Sequence, residues 1–454
     1  MSKKPQFASK LGLIAATVGS AVGLGNIWRF PAEVQANGGA AFLVLYVVCV
    51  FLVGIPVMVT EFSLGRAGQS DAVGAFKNLG AKRAWWSVGA FAILASYFIL
   101  WFYMVVAGWT FEYLWQSITG GLYAHPDGVE ASASLFKSKM QEFIVDGWNP
   151  LINTYVVIFI NMVILIIGVQ KGIERLSNLL MPLLFLILLI FCGVSLTMPD
   201  ASEGLKFFLK PDISKITPSV AINALGQAFF SLSLGMGILI TYSAYFPKKV
   251  NLTRTACTVS MLDLVVAILM GLIIFPAVTS FNLEGESLAG ATLVFVTLPE
   301  VFSRMGGTQI WSTLFFLLLF VAALTSTISI AEVSVAFVRD RFNASRLKAC
   351  LVVMLPVLAF STLCSLSQGV LSHYKILGMN LFDFLDTMAT NIMLPIVSIL
   401  MCVYMGWFAP KGLMMKQLSN DNTLSSRTFS VIIFIVRYVA PLLIALVLIS
   451  GFIK

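Results

Sequence analysis

Gly19-Ser20-Ala21-Val22-Gly23-Leu24-Gly25-Asn26 interrupts an apolar run that extends from about residue 10 to 36. Glycine inside a helix costs about 1 kcal/mol relative to alanine, so this cluster predicts an unwound stretch in the middle of a long helix. A second such stretch, Ser231-Leu232-Ser233-Leu234-Gly235-Met236-Gly237, lies inside the run 218–247. Further apolar runs near 40–68, 84–117, 151–169, 174–197, 252–281, 308–341, 346–367, 377–408 and 428–452 bring the set to eleven. A bilayer-crossing helix needs roughly 20 residues, and each run comes close to that or exceeds it. The runs are continuous rather than alternating, which selects helices over a barrel. Two amphipathic stretches near 202–210 and 288–304 fall in loops and are expected over the outer face.

Composition agrees. Of 454 residues, 59% are hydrophobic and 11% charged, against about 25% charged in a soluble domain. The net charge of +8 is not a nucleic-acid footprint, because the basic residues are sorted by side. With a cytoplasmic N-terminus, inner loops hold 19 of the 29 lysines and arginines and outer loops 8, while Arg29 and Arg437 fall within segments. The expectation is a single transmembrane domain over 1–454 in the cytoplasmic (plasma) membrane, N-terminus inside and C-terminus outside. No signal-peptide cleavage pattern precedes the first run, which reads as a retained helix. The six cysteines lie in or beside apolar runs and there are two histidines. That spacing implies no disulfide framework, zinc site or histidine-based active site. No nucleophile–base pair points to an enzyme.

The two glycine clusters lie five segments apart. This pattern fits inverted repeats, approximately 10–197 and 218–408 with 428–452 as an additional helix, around a midplane site. Gly19-x-x-x-Gly23 also fits close helix packing, but that reading does not account for the matching cluster in the other half. Unwound backbone frees carbonyls for small hard cations and amides for anions. Ser20, Asn26, Ser231 and Ser233 add side-chain oxygens at the breaks, and Thr325-Ser326-Thr327 adds hydroxyls from the eighth segment. Asp263 sits within Met261-Leu262-Asp263-Leu264-Val265, where a carboxylate needs a partner. Oxygen-rich, charge-poor surroundings suit sodium.

Several of these stretches together resemble a family signature. They are Gly19 through Pro31, Asn37-Gly38-Gly39-Ala40-Ala41-Phe42, Gly54-Ile55-Pro56 through Glu61 to Gly65-Arg66, Lys171-Gly172-Ile173-Glu174, and Gln227 through Ser233. The likeness is to the neurotransmitter:sodium symporter family, nearly end to end, and within it to the bacterial eleven-helix branch. It implies an all-α membrane protein of eleven transmembrane helices with the leucine-transporter-like fold, a 5+5 inverted repeat with helices one and six unwound. It implies sodium-coupled import, by alternating access, of a hydrophobic or aromatic L-amino acid such as leucine, valine, tryptophan, tyrosine or phenylalanine. Lipid is then the surroundings, and no obligate protein partner is expected.

The resemblance also implies two sodium sites. The first would use Ala21, Asn26, Ser231, Asp263 and the substrate carboxylate. The second would use Gly19, Val22, Ala322, Thr325 and Ser326. Ser231 stands where many relatives have threonine, and Asp263 where they have asparagine, so Asp263 itself supplies the negative charge and chloride is not expected to be required. Gly23 offers no fixed carboxylate, so the substrate brings its own. That carboxylate would meet the amides of Leu24 and Gly25 and the Tyr103 hydroxyl. The ammonium would meet carbonyls of Ala21, Phe230 and Ser231 and the Ser233 hydroxyl, with Ser20 also at the first break. Ile99, Tyr103, Phe230, Met236, Ser326 and Ile330 would wall the side-chain pocket. Arg29 with Asp386 (or Asp383, one turn away) would gate the outside, and Lys4 with Asp340 near Tyr245 the inside. Gly172 and Pro182 are expected to loosen the inner half of the fifth segment. A symporter for a small osmolyte, or a non-transporting receptor or channel, are the competing readings.

Overall fold

The computed structural model describes residues 6–80, 84–124, 132–283, 290–425 and 427–453. Among the described residues nine helices are long and apolar enough to cross a membrane: Ala40–Gly68, Trp86–Thr119, Asn149–Ile167, Val169–Leu196, Leu252–Ser280, Thr308–Phe342, Arg346–Leu366, Leu381–Phe408 and Thr428–Gly451. Two more spans are broken. Lys10–Ala21 and Gly25–Ala36 form one span bent by 52°. Pro218–Ser231 and Ile238–Ser243 form the other, joined by residues 232–237. In chain order these make spans one to eleven, with one and six interrupted as expected.

Polar residues start the spans by capping free amides. Ser9 Oγ accepts from Gly12 N at 2.9 Å, Thr217 Oγ1 from Val220 N at 3.3 Å, and Asn251 Oδ1 from Arg254 N at 2.9 Å. The break in span one is short: Val22 turns extended at ψ 111° and winding resumes at Gly25. The break in span six is longer and needs left-handed backbone at Ser233 (φ 53°), Gly235 (φ 80°) and Gly237 (φ 72°). At Gly235 a Cβ would also lie 2.7 Å from the Leu394 carbonyl oxygen and from Ser398 Oγ, so span ten presses on the break.

Of the nine unbroken spans, span eight is the most enclosed, with 83% of its apolar window buried, and span eleven the least, at 22%. The former is therefore an axis of the bundle and the latter its lipid-facing edge. The amphipathic stretches form helices Ala201–Leu209 and Gly290–Ser303. Phe208 stacks on Phe275 at 5.4 Å and meets Phe30 edge-on, while Phe295 lies 4.7 Å from Tyr113, so both cover one end of the bundle. Helices Ala72–Asn78, Ala133–Val145 and Leu413–Leu418 are additions that periodicity did not single out. Span five begins at Val169 rather than near 174, because Gly168 at φ 103° makes the turn. From Gly172 to Pro182 that span is wound throughout, its first turns widened to the π form over Val169–Glu174.

Candidate functional site

The two breaks touch. Ser233 Oγ donates to the Ser20 carbonyl at 2.8 Å, and Gln227 Nε2 to the Gly25 carbonyl at 2.9 Å. Tyr103, from span three, accepts at its hydroxyl from Leu24 N at 3.2 Å. Close approach explains Gly23: a Cβ there would lie 2.6 Å from Ser326 Oγ and 2.9 Å from Tyr103 Oη. Between the breaks a cavity of about 30 Å³ is lined by Ser20, Ala21, Gly23, Gly25, Ile99, Tyr103, Phe230, Ser233, Met236, Ser326 and Ile330. These are the residues expected there, apart from Leu24 and Ser231. Leu24 lines a second cavity of about 220 Å³ beyond Phe230 and Tyr103, together with Trp28, Arg29, Phe102 and Asp386. Ser231 instead turns its hydroxyl away, toward Asp263.

That hydroxyl belongs to a buried polar cluster. Ser231 Oγ donates to Asp263 Oδ2 at 2.7 Å, and Asn26 Nδ2 reaches Asp263 Oδ1 at 2.9 Å and Ser231 Oγ at 3.0 Å. Tyr46, from span two, adds its hydroxyl at 3.2 Å from Ser231 Oγ and 3.5 Å from Asp263 Oδ2. Asp263 is fully buried, so the donors around it supply the partners that a carboxylate at this depth requires. Asn26 Oδ1 meanwhile accepts from Gly23 N at 3.3 Å, which ties the cluster to the break.

A second cluster sits on the other side of span one. Ser326 Oγ lies 3.3 Å from the Val22 carbonyl and 3.5 Å from that of Gly19, while Thr325 Oγ1 lies 3.1 Å from the Ala322 carbonyl. The structure thus brings Gly19, Val22, Ala322, Thr325 and Ser326 together, all buried. It contains oxygens and no formal charge. Hard oxygen donors of this kind suit an alkali ion far better than a transition metal.

The two ends of the path differ. At one end, Arg29 and Asp386 border the 220 Å³ cavity without an ion pair between them. Arg29 is held on its own helix, Nε 3.8 Å from Glu33 Oε1 and its guanidinium 4.6 Å from the Phe230 ring centroid. Asp383 caps with Asn380, at 2.8 Å, at the exposed start of span ten, so Asp386 is the acid that faces Arg29's cavity. At the other end, Lys4 lies outside the described residues. Asp340 Oδ2 accepts from Asp71 N at 3.1 Å. Burial, reinforced by the Asp340 carboxylate, pushes the Asp71 carboxyl above its usual range. Tyr245 donates to Glu332 Oε1 at 3.1 Å, and Arg346 grips Glu332 with two bonds of 2.9 and 2.6 Å. Removing one partner of such a buried pair costs about 3–5 kcal/mol. Phe7 packs on Tyr242 at 5.8 Å, and Glu174 accepts from Ala8 N and Ser9 N at 2.8 and 3.0 Å. The Tyr245 end is bonded shut, while the Arg29 end retains a cavity.

The profile of the sodium:neurotransmitter symporter family matches residues 4–127 and 136–454. The chain belongs to this family. It is a sodium-dependent symporter and not an enzyme. It is 34% identical over 453 residues to an uncharacterized sodium-dependent transporter of Bacillus subtilis, covering 99% of this chain and 98% of the other. It is 29% identical to the sodium-dependent serotonin transporter of Drosophila melanogaster, over 88% of this chain and 69% of that one. The crystal structure of MhsT in complex with L-phenylalanine superposes with a TM-score of 0.88 at 39% identity, covering 99% of this chain and 100% of that one.

Several residues of this symporter's centre went unassigned in the sequence reading. Glu61 of span two accepts from Gly235 N at 2.7 Å and so holds the break of span six. Glu332 anchors the inner bonds. Both are lone carboxylates within apolar runs, the signal that singled out Asp263, and the same reasoning applies to them. Tyr46 and Gln227 carry no comparable signal, since nothing in an apolar run marks which hydroxyl or amide faces inward.

Proposed function

We propose that this symporter imports hydrophobic and aromatic L-amino acids across the cytoplasmic membrane, two sodium ions accompanying each. The observation that carries this reading is the juxtaposition at Gly23: backbone amides and carbonyls released from helical pairing, such as Leu24 N on Tyr103, beside the Asp263 cluster, under an apolar wall that brings no carboxylate of its own. An amino-acid carboxylate there would meet the amides of Leu24 and Gly25, Tyr103 and a sodium ion held by Ala21, Asn26, Ser231 and Asp263. Its ammonium would meet carbonyls of Ala21, Phe230 and Ser231 and the Ser233 hydroxyl. Gly19, Val22, Ala322, Thr325 and Ser326 would hold the second ion. The phenylalanine bound to MhsT supports this substrate class.

The 30 Å³ present falls far short of the roughly 300–1,000 Å³ of a site that encloses a small ligand. Admission of a leucine or tryptophan side chain therefore requires Phe230 and Met236 to change rotamer. Methionine is suited to that, being unbranched and flexible. Because sodium and substrate share ligands, each raises the other's affinity. Joint occupancy then draws Arg29 toward Asp386 outside and releases the inner bonds, with 10–197 and 218–408 moving as repeats. The bias of basic residues supports an inside N-terminus and outside C-terminus. Asp263 supplies the charge that chloride would otherwise bring.

The test is uptake of labelled leucine into proteoliposomes under an imposed sodium gradient, with unlabelled amino acids and glycine betaine as competitors. Inhibition by valine, phenylalanine and tryptophan but not by betaine is expected, unchanged when gluconate replaces chloride. Inhibition by betaine alone rejects the substrate class, and collapse in gluconate rejects chloride independence.

A further inference from the structure

Arg437 lies in span eleven, the least enclosed of the unbroken spans, with its side chain exposed at the lipid-facing surface. Its Nε donates to the Gly406 carbonyl at 2.7 Å. A Cβ on Gly406 would come within 2.9 Å of Arg437 Cγ, so the glycine lets the arginine stem lie flat against span ten. Among the described residues neither Nη1 nor Nη2 has a protein acceptor. Gly406 is two residues from the end of span ten at Phe408, at the end of the bundle where Arg66 contacts the Lys248 and Val250 carbonyls.

Aromatic side chains frame the guanidinium. Its carbon is 5.9 Å from the Trp407 ring centroid, and Trp407 Nε1 donates to the Arg437 carbonyl at 3.3 Å. Tyr438 meets Trp407 edge-on at 5.2 Å and lies 5.2 Å from Phe434. Trp407, Phe434 and Tyr438 are 55, 56 and 49% exposed. Tryptophan and tyrosine on an outward face mark the membrane–water interface.

An arginine cannot shed its charge, and unpaired donors facing lipid are costly. The partner must come from the membrane itself. A phosphodiester oxygen pair matches the two free guanidinium nitrogens, and Lys248, Lys249 and Lys411 in the adjoining loops favour a net negative lipid. We propose that spans ten and eleven hold the headgroup of an anionic phospholipid between Arg437, Trp407 and Tyr438. The assignment is independent of which substrate the symporter carries.

Native mass spectrometry of the full-length protein, delipidated and then exposed to mixed phosphatidylglycerol and phosphatidylcholine, tests it. Wild type should retain phosphatidylglycerol with about tenfold preference. Arg437→Gln should reduce this to near parity, and Lys348→Gln, a change at an exposed cation on span nine, should leave it intact. Should Arg437→Gln not fold, Arg437→Lys and Trp407→Leu serve instead, each lowering the preference two- to threefold, on the order expected when bidentate geometry or a stacking face is lost. An unaltered preference in these variants overturns the proposal. So does equal protection by glycerol 1-phosphate, which would show a soluble-anion site. A wild-type dimer that Arg437→Gln converts to monomer also overturns it, because a second copy would then be the occupant.

Discussion

The two oxygen clusters beside the broken spans are made of different materials. One centres on the Asp263 carboxylate, with Asn26, Ser231 and Tyr46 within 2.7–3.5 Å of it. The other is neutral, built from carbonyls of Gly19, Val22 and Ala322 and the hydroxyls of Thr325 and Ser326. A carboxylate attracts a cation through a field that survives small movements. Carbonyls and hydroxyls do so only while their geometry holds, and two of these carbonyls lie at the break of span one, Gly19 in the last helical turn and Val22 in the unwound stretch. The charged cluster is therefore suited to fix ion and substrate affinity, and the neutral one to report the conformation of span one.

The largest effect is expected at the charged cluster. Asp263→Ala removes the field and leaves three donors without their acceptor. Sodium activation of leucine uptake should weaken by at least about 100-fold, or about 2.8 kcal/mol at 1.4 kcal/mol per tenfold. A near-normal activation curve would erase the distinction between the clusters. At the neutral cluster, Thr325→Ala with Ser326→Ala leaves the three carbonyls in place, so a shift of about tenfold is expected, in the range for two hydroxyl contacts. A loss equal to that of Asp263→Ala would break the comparison in the other direction.

Between the clusters, Met236→Phe should alter substrate ranking rather than sodium dependence. It should disfavour tryptophan relative to leucine by about fivefold in competition assays, on the scale of overpacking a well-filled site. An unchanged ranking removes Met236 from the pocket wall. Far from both clusters, Asp71→Asn should leave sodium activation unaltered, since asparagine also caps helix Ala72–Asn78. Burial raises the Asp71 pKa above its unfolded value. Its contribution to stability is thus full below about pH 4 and lost as pH rises through the folded value. The variant should flatten that part of the melting-temperature profile, with a change of at most about 1 kcal/mol. An unaltered profile would place the titration elsewhere.

The same contrast explains what could be read before the fold was in view. A carboxylate inside an apolar run announces itself, which is why Asp263 stood out from Met261-Leu262-Asp263-Leu264-Val265. The glycines at 19, 23, 25, 235 and 237 announced the breaks: at Gly23, Gly25 and Gly235 contacts with Ser326, Tyr103, Phe230 and Leu394 leave room for no side chain, and at Gly237 the backbone is left-handed. Backbone carbonyls leave no such trace: Val22 and Ala322 look like any apolar residue, and the family resemblance alone nominated them. Whether Arg29 meets Asp386 was equally illegible, since it depends on rotamers set by Glu33 and Phe230. The Glu332–Arg346 pair joins residues 14 apart across a turn; Glu332 carries the signal of a buried carboxylate, but Arg346 at the start of a span reads as an ordinary solvated helix end until that turn is known.

In the proposed function both clusters take sodium together with the amino acid. It is tested most directly by equilibrium binding of labelled leucine to the purified protein, titrated with sodium against potassium at constant ionic strength. The account predicts negligible binding in potassium and a sigmoidal sodium dependence with a Hill coefficient between one and two, falling to one in the Thr325→Ala, Ser326→Ala variant. Leucine binding of equal strength in potassium, or a hyperbolic sodium dependence that the variant leaves unaltered, would contradict it.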